Sequence, residues 1–342
     1  MFWSRLEATM IECEVDDARW LELVRSHPGA LAFHHPSWIR LLSECYGFRP
    51  FVLLVEDGSG GLPFLEISRA LRWTRWVSLP FTDSCPPLVR PGESTLRESI
   101  ETRAAAAGVS SVEVRGLLDG ATVTLPNAVS HVLRLEGGTE RVARGFRPSV
   151  RRNIRIARAR NVAVRFGESE GDLTQVYYRL HVETRRRLGL PVQPRRFFKL
   201  LWQHVVEPGL GRLLLAEADG RPAAGAVFLG WNHTLLYKYG ASDPALWPLR
   251  PNNLLFAEAI DWASGAGYRS LDFGRTNVES ASLRRFKLSW GAVEQPLAYS
   301  FVGRRPSFAS GVEPPELLRR ALRRSPRWVV RACGEIMYRH AA

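Results

Sequence analysis

Two glycine-bearing turns do most to limit the fold. The pentapeptide Asp57-Gly58-Ser59-Gly60-Gly61 separates the apolar runs 51–56 and 62–67, and Asp219-Gly220 separates 213–217 from 223–229. Short apolar runs joined by Asp-Gly turns are antiparallel hairpins, and strands joined this way exclude a purely parallel sheet. Helical spacing surrounds each hairpin set. Trp20, Leu21 and Val24 mark a helix over 16–26. Pro36 opens another, with Trp38, Ile39, Leu42 and Cys45 on one stripe and Gly47 at its end. Further helices are predicted over 94–107, after Gly137-Gly138, over 150–160 behind Ser149 as N-cap, and over 172–187, 194–206, 252–264 and 282–289. Strands are predicted at 10–15, 76–79, 111–115, 128–135, 162–166, 234–239, 270–273 and 295–301. The same mixture occurs twice, over 1–147 and 148–300. It predicts an α/β chain of two domains, each a mixed (α+β) sheet with helices on both faces. A length of 342 residues with 45% apolar content supplies two cores.

The remaining composition narrows the function classes. No apolar run approaches the ~18 residues that span a bilayer. Residues 1–5 lack the layout of a secretory leader. The four cysteines show no CxxC spacing and the eight histidines no HxxxH or HExxH, so no metal site is expected. The chain is therefore expected in the cytoplasm, with peripheral contact at the inner membrane face as an option. A net charge of +13 favours an anionic partner: tRNA, a nucleotide-sugar or a membrane surface. Of 47 basic residues only Lys199, Lys238 and Lys287 are lysine, which singles out positions where a compact ammonium replaces the guanidinium fork.

Residues 213–275 run hairpin, strand (Tyr237-Lys238-Tyr239-Gly240-Ala241-Ser242), loop, helix, and the strand Ser270-Leu271-Asp272-Phe273. This order resembles the core of a GNAT acyltransferase domain, in which splayed strands and the start of the following helix hold the acyl donor. Acetyl-CoA-dependent members carry an (R/Q)xxGx(G/A) loop whose amides cradle the pyrophosphate. The equivalent stretch here, Leu249-Arg250-Pro251-Asn252-Asn253-Leu254-Leu255, has no glycine and includes a proline without an N–H. Arg284-Arg285-Phe286-Lys287-Leu288-Ser289-Trp290-Gly291 fits an (R/Y)xFKxxWG-like block. Together with the basic segment Ser149–Arg155 and the loop Pro80–Leu88, this pattern resembles the FemABX aminoacyl-transferase family over about 30–300. The resemblance implies two GNAT-like domains in tandem, with the C-terminal helices of 301–342 packed back on the first. It implies transfer of an aminoacyl group from aminoacyl-tRNA, as co-substrate, to an amine of a cell-envelope or secondary-metabolite precursor, without a tightly bound cofactor.

Lys287, matching the family's FK lysine, is assigned by resemblance to the oxyanion formed in ester aminolysis; the alternative is a surface lysine on a short helix. Asp272 and Arg275 flank Phe273-Gly274 at a strand end, where α/β sheets place binding groups; Asp272 is a candidate proton acceptor, and an Asp–Arg structural pair is the alternative. Tyr237 and Tyr239, two apart on a strand, are expected on one face and Lys238 on the other, as an acyl-tunnel lining or as core. Asn252 and Asn253 are donor-binding candidates or helix caps, and Phe286 and Trp290 of the FKxxWG block join the donor group. Arg151, Arg152 and Arg155 suit phosphate oxygens of tRNA, or form a solvated face. Asp83 and Ser84 are placed on the acceptor side. The basic amphipathic stretch 319–338 suits an anionic bilayer and a lipid-linked acceptor. Two readings compete: a GNAT enzyme using acyl-CoA or acyl-carrier protein to acylate a sugar or amine, and a non-enzymatic RNA- or membrane-binding module.

Overall fold

The structure, a computed structural model, describes residues 10–69, 73–90, 96–121, 123–303 and 315–340. The first half contains β1 (Met10–Cys13), α1 (Ala18–Ser26), α2 (Pro36–Tyr46), β2 (Arg49–Val55), β3 (Gly60–Arg69), β4 (Trp73–Val77), β5 (Leu88–Val89), α3 (Arg97–Ala106), β6 (Ser111–Val114) and β7 (Val123–Arg134). The second contains α4 (Gly138–Arg144), α5 (Pro148–Ala159), β8 (Ala163–Phe166), α6 (Tyr178–Leu188), α7 (Arg195–Leu201), β9 (Gly211–Ala218), β10 (Arg221–Trp231), β11 (Thr234–Ser242), α8 (Pro251–Gly265), β12 (Ser270–Asp272), β13 (Thr276–Asn277), α9 (Ala281–Leu288), β14 (Val293–Gly303), α10 (Glu316–Arg324) and α11 (Arg327–His340). The described residues between 10 and 128 together with 296–303 form one compact unit; 129–295 with 315–340 form the second.

In unit 1, β1, β2, β3 and β4 form an antiparallel meander, β4 runs parallel to β6 across α3, and β14 closes antiparallel on β6. Local chemistry sets the helix ends. Asp17 Oδ1 accepts from the Arg19 N–H at 2.9 Å to start α1. Pro36 occupies the first turn of α2, and Gly47, at φ 76°, ends it in the left-handed region. Beyond Val77 the chain leaves β6 and turns sharply, with Leu79 and Phe81 both at positive φ. The loop then returns to β6. The Cys85 N–H donates to the Arg115 carbonyl at 2.6 Å, and Ser78 Oγ accepts from the Arg115 N–H at 2.7 Å. Under it, buried Glu113 lies 3.8 Å from Arg75 and 3.3 Å from Arg115. The gap beside β6 is thus filled by the unit's own loop.

Unit 2 repeats this plan. Strands β8, β9, β10 and β11 form the meander, β11 runs parallel to β12 across α8, and the end of β7 closes antiparallel on β12. Both units read strand, helix, helix, three strands, helix, strand, so the tandem α/β architecture is a repeat of topology without visible repetition of sequence. Its core joins Phe228, Phe256, Ile260, Phe273 and Trp290 with Leu254, Leu255 and Leu271. Helices α6 and α7 are each extended by a π-helical turn, over Asp172–Tyr177 and Trp202–Val206.

The structure revises several expectations. The halves do not meet at 147/148: residues 129–147 belong to unit 2, and the closing strand of unit 1 comes from β14. Helices α10 and α11 pack on α6 of unit 2 rather than on the first domain. The fit there has a steric reason: Gly334 lets α11 touch the Val192 carbonyl, which any Cβ would strike, and the Tyr338 hydroxyl accepts from Arg185 Nη2 at 3.0 Å. Ser149 does not cap α5; Pro148 takes the first helical position and Arg147 is the N-cap. The expected start of α3 at 94–95 lies outside the described residues.

Candidate active site

The site is built where β11 parts from β12. Only Thr234, Leu235 and Leu236 pair with β12, while β11 continues to Ser242. Opposite this opening, β10 and β11 shift register between Val227 and Phe228: Phe228 faces Tyr237 and Val227 faces Tyr239, leaving Lys238 as the extra residue of a β-bulge. The bulge overturns the expectation that both tyrosines share a face, because one added residue inverts the alternation. The Tyr237 ring packs on Phe256 of α8 at 4.8 Å, and burial pushes its hydroxyl up to about 12, so it stays neutral. A Cβ on Gly240 would collide with that hydroxyl, so Gly240 makes room for Tyr237. Tyr239 packs instead on Phe197 and Phe198 of α7, at 5.7 and 6.0 Å, and edges on His181.

At the end of β12, Asp272 Oδ1 accepts from the Gly274 N–H at 2.8 Å and from the Ser130 hydroxyl. This Asx turn fixes the Gly274 backbone, whose φ of 69° is one glycine adopts freely. The Gly274 carbonyl then accepts from Lys287 Nζ at 2.7 Å. Lys287 is 2% exposed, so the surface-lysine alternative is wrong; it is the one buried lysine of the three. Its helix α9 is fixed by Trp290, which is fully buried against Phe146 (5.0 Å) and Phe256 (5.7 Å). Trp290 is therefore a core residue that positions Lys287, not part of a donor surface. Phe286 bridges the same group, 5.7 Å from Phe256.

Sequence reasoning missed three neighbours. His131, fully buried on β7, has Nε2 3.1 Å from the Glu294 carboxylate. Burial and then the Lys287 charge hold this imidazole below its usual range, although Glu294 pulls the other way. Glu294 is gripped by Arg284 Nε and Nη2 at 2.8 and 2.7 Å, which holds its carboxyl low. The third neighbour is Ser130. A signal was available: Ser130-His131 is a polar pair inside the apolar run from Ala128 to Leu133.

The start of α8 tests the expected pyrophosphate cradle. Pro244, Pro248 and Pro251 have no N–H. The amides of Leu246, Arg250, Asn253 and Leu254 donate to backbone carbonyls within the stretch, and that of Ala245 to Asp243 Oδ1. These amides are therefore already used within the stretch. Asn252 and Asn253 are not caps; Arg250 is the N-cap at φ 60°, and Asn253 is buried in the first turn. Arg275 Nη2 donates to Asn277 Oδ1 at 3.3 Å.

The basic helix α5 is tied to this region, because the Arg147 N–H donates to the Ser289 carbonyl at 2.9 Å. Arg151, Arg152 and Arg155 are exposed, and Arg151 reaches only the Arg144 carbonyl, at 3.2 Å. Asp83 and Ser84 lie in unit 1, where the Asp83 carbonyl accepts from the Tyr299 hydroxyl at 3.0 Å and Ser84 Oγ donates to the Arg115 carbonyl at 3.4 Å. Among the described residues no three His, Cys, Asp or Glu side chains converge as metal ligands, and no helix is long and apolar enough to cross a membrane.

Residues 144–287 match the family described as an acetyltransferase (GNAT) domain, a segment that ends at Lys287. No curated protein matches the chain in sequence. Among solved structures, FemX aligns over 85% of this chain and 96% of its own, with a TM-score of 0.67 and 14% identity. L-PGS from Bacillus licheniformis aligns over 91% and 97%, at 0.57 and 12%. A tandem GNAT protein from the clavulanic acid biosynthesis pathway aligns over 87% and 98%, at 0.50 and 12%. At such identities the likeness is one of fold: a tandem GNAT-like α/β fold similar to that of FemX.

Proposed function

We propose that the chain is an N-acyltransferase that moves an aminoacyl group from aminoacyl-tRNA to an amine on a cell-envelope or secondary-metabolite precursor. The observation that carries the reading is buried Lys287, held on the Gly274 carbonyl at the mouth of the β11–β12 opening. An amine attacking an ester carbonyl passes through a tetrahedral oxyanion, and a fixed cation in a water-poor site lowers that barrier. Lys287 supplies the charge. Asp272 and Ser130 act as positioning residues, since they fix the turn that aims Lys287. Neutral His131 places no second positive charge beside Lys287. The oxyanion collapses as the ester C–O bond breaks, and the tRNA ribose oxygen leaves and takes up a proton. The acceptor amine gives its proton to solvent or substrate, and orientation of the two substrates supplies much of the rate.

The occupied amides at the start of α8 support a donor other than CoA, and exposed Arg151, Arg152 and Arg155 suit tRNA phosphates. FemX and L-PGS share the fold. Acceptor selection is assigned to the 80–87 loop through Asp83 and Ser84. A second reading, transfer from acyl-CoA, is favoured by the GNAT acetyltransferase match alone. The test offers labelled aminoacyl-tRNAs and, separately, acyl-CoAs to the protein with an envelope extract as acceptor. Transfer from tRNA that Lys287→Met abolishes supports the reading; transfer from acyl-CoA alone rejects the donor.

A further inference from the structure

Unit 2 carries a second feature. A cavity of about 240 Å³ is lined by Arg179, Arg195, Arg327, Arg331, Tyr178 and Thr174, with no carboxylate in its lining. Its arginines are held in place: Arg195 Nε donates to the Thr174 carbonyl at 3.1 Å, Arg331 lies over the Tyr178 ring at 5.6 Å, and Arg327 pairs with Glu183. Glu183 balances Arg327, but the other three guanidinium groups leave the space positively charged, and an anion with several oxygens can meet them through bidentate contacts.

Helix α11 supplies the second observation. Val330, Gly334 and Tyr338 form its buried row. Trp328 and Ile336 are 70% and 64% exposed. At ~100° per residue, position 328 points nearly opposite position 330, and Arg327 and Arg331 stand at the border between the two rows. Leu317 on α10 is exposed as well. Over 316–340 seven arginines face two glutamates. Exposed Leu, Trp and Ile beside a clustered positive charge complement a surface that is anionic outside and apolar within; a nucleic acid would use the arginines but leave the aliphatic side chains idle.

We propose that this face seats on a bilayer containing anionic phospholipid, with a lipid phosphate in the arginine cavity and Trp328 and Ile336 in the headgroup–acyl boundary. The inference stands apart from the transfer reaction, because binding is read without turnover. The full chain is centrifuged with phosphatidylcholine vesicles with and without phosphatidylglycerol. Binding is expected only to the anionic vesicles, weakening with salt, and not displaced by inorganic phosphate at the same phosphate concentration. Trp328→Ser with Ile336→Ser, and Arg179→Gln with Arg331→Gln, should each lower it by ~10-fold or more. Equal binding to both vesicle types, or none, overturns the proposal. So does full binding by the Trp328/Ile336 variant combined with displacement by tRNA, which would make the face a nucleic-acid surface. The vesicle comparison uses the unaltered chain, so it decides the matter even where a variant misfolds.

Discussion

Mild acid should weaken both units, and the structure gives the amount. His34 in unit 1 is fully buried, with Nε2 2.9 Å from the Pro86 carbonyl and Nδ1 accepting from the Leu31 N–H at 3.0 Å. Burial holds it down at about 4, and a proton on Nδ1 would also break the bond from Leu31. His181 in unit 2 is held at about 3 by burial and then by Arg185, with Nε2 bonded to Gln193 Oε1 at 2.7 Å. Above pH ~6.5 both folded and unfolded imidazoles are neutral and contribute nothing. Below it the unfolded chain takes up a proton that the folded chain refuses, so stability falls as pH falls, until the folded values are reached. At pH 5.5 each histidine costs its unit about 1 kcal/mol relative to pH 7.5. Carboxylates held low by arginine, such as Asp172 and Glu66, begin to cost stability only below pH ~4.5, so this window belongs to the histidines. Hydrogen exchange followed by mass spectrometry, corrected for the intrinsic rate, reads the opening free energy of each unit at the two pH values. His181→Gln should shrink the response of unit 2, where buried His131 also resists protonation, and leave that of unit 1. Unchanged opening free energies between pH 7.5 and 5.5, or an NMR titration of His34 near its ordinary value, would refute the reasoning.

Removing the Lys287 charge as Lys287→Met should lower kcat by about 10²–10³ while urea midpoints move little, because the methionine fills the same space. Trp290→Ala empties the cluster with Phe146 and Phe256 and should cost about 3–5 kcal/mol in urea denaturation. A loss below ~1 kcal/mol would mean that Trp290 is not the anchor of α9. Gly240→Ala displaces the Tyr237 hydroxyl and should impair transfer and cost about 1–3 kcal/mol in urea denaturation. Gly334→Val strikes the Val192 carbonyl and should release α11, read as lost exchange protection over 327–338.

Periodicity and turn chemistry carried most of the fold. The Asp57–Gly61 and Asp219-Gly220 turns stand where hairpin signals put them, and Pro36 and Gly47 bracket α2 as read. What escaped is non-local. The exchange of β7 and β14 between units leaves no trace in local pattern, because an edge-closing strand reads alike whichever sheet it joins. The bulge at Lys238 follows from packing against β10, and alternation alone placed Tyr239 on the wrong face. In the candidate site, the scarcity of lysine drew attention to Lys287, which is buried, whereas Trp290, grouped from its motif with the donor-binding residues, lies in the core. His131 and Glu294 were hidden by their distance in sequence from the block they adjoin.

The exchanged strands bear on synthesis. The Ser300 hydroxyl accepts from the Leu118 N–H and donates to the Gly116 carbonyl, and Leu118 precedes Ser300 by 182 residues. A nascent chain that has just emitted unit 1 therefore still presents β6 with one edge bare, and must keep it so until the rest of unit 2 has left the ribosome. At ~5–20 residues per second that wait lasts roughly ten seconds or more. An open edge held that long invites pairing with neighbouring chains, so chains truncated before residue 293 should collect in aggregates rather than persist as a free first unit.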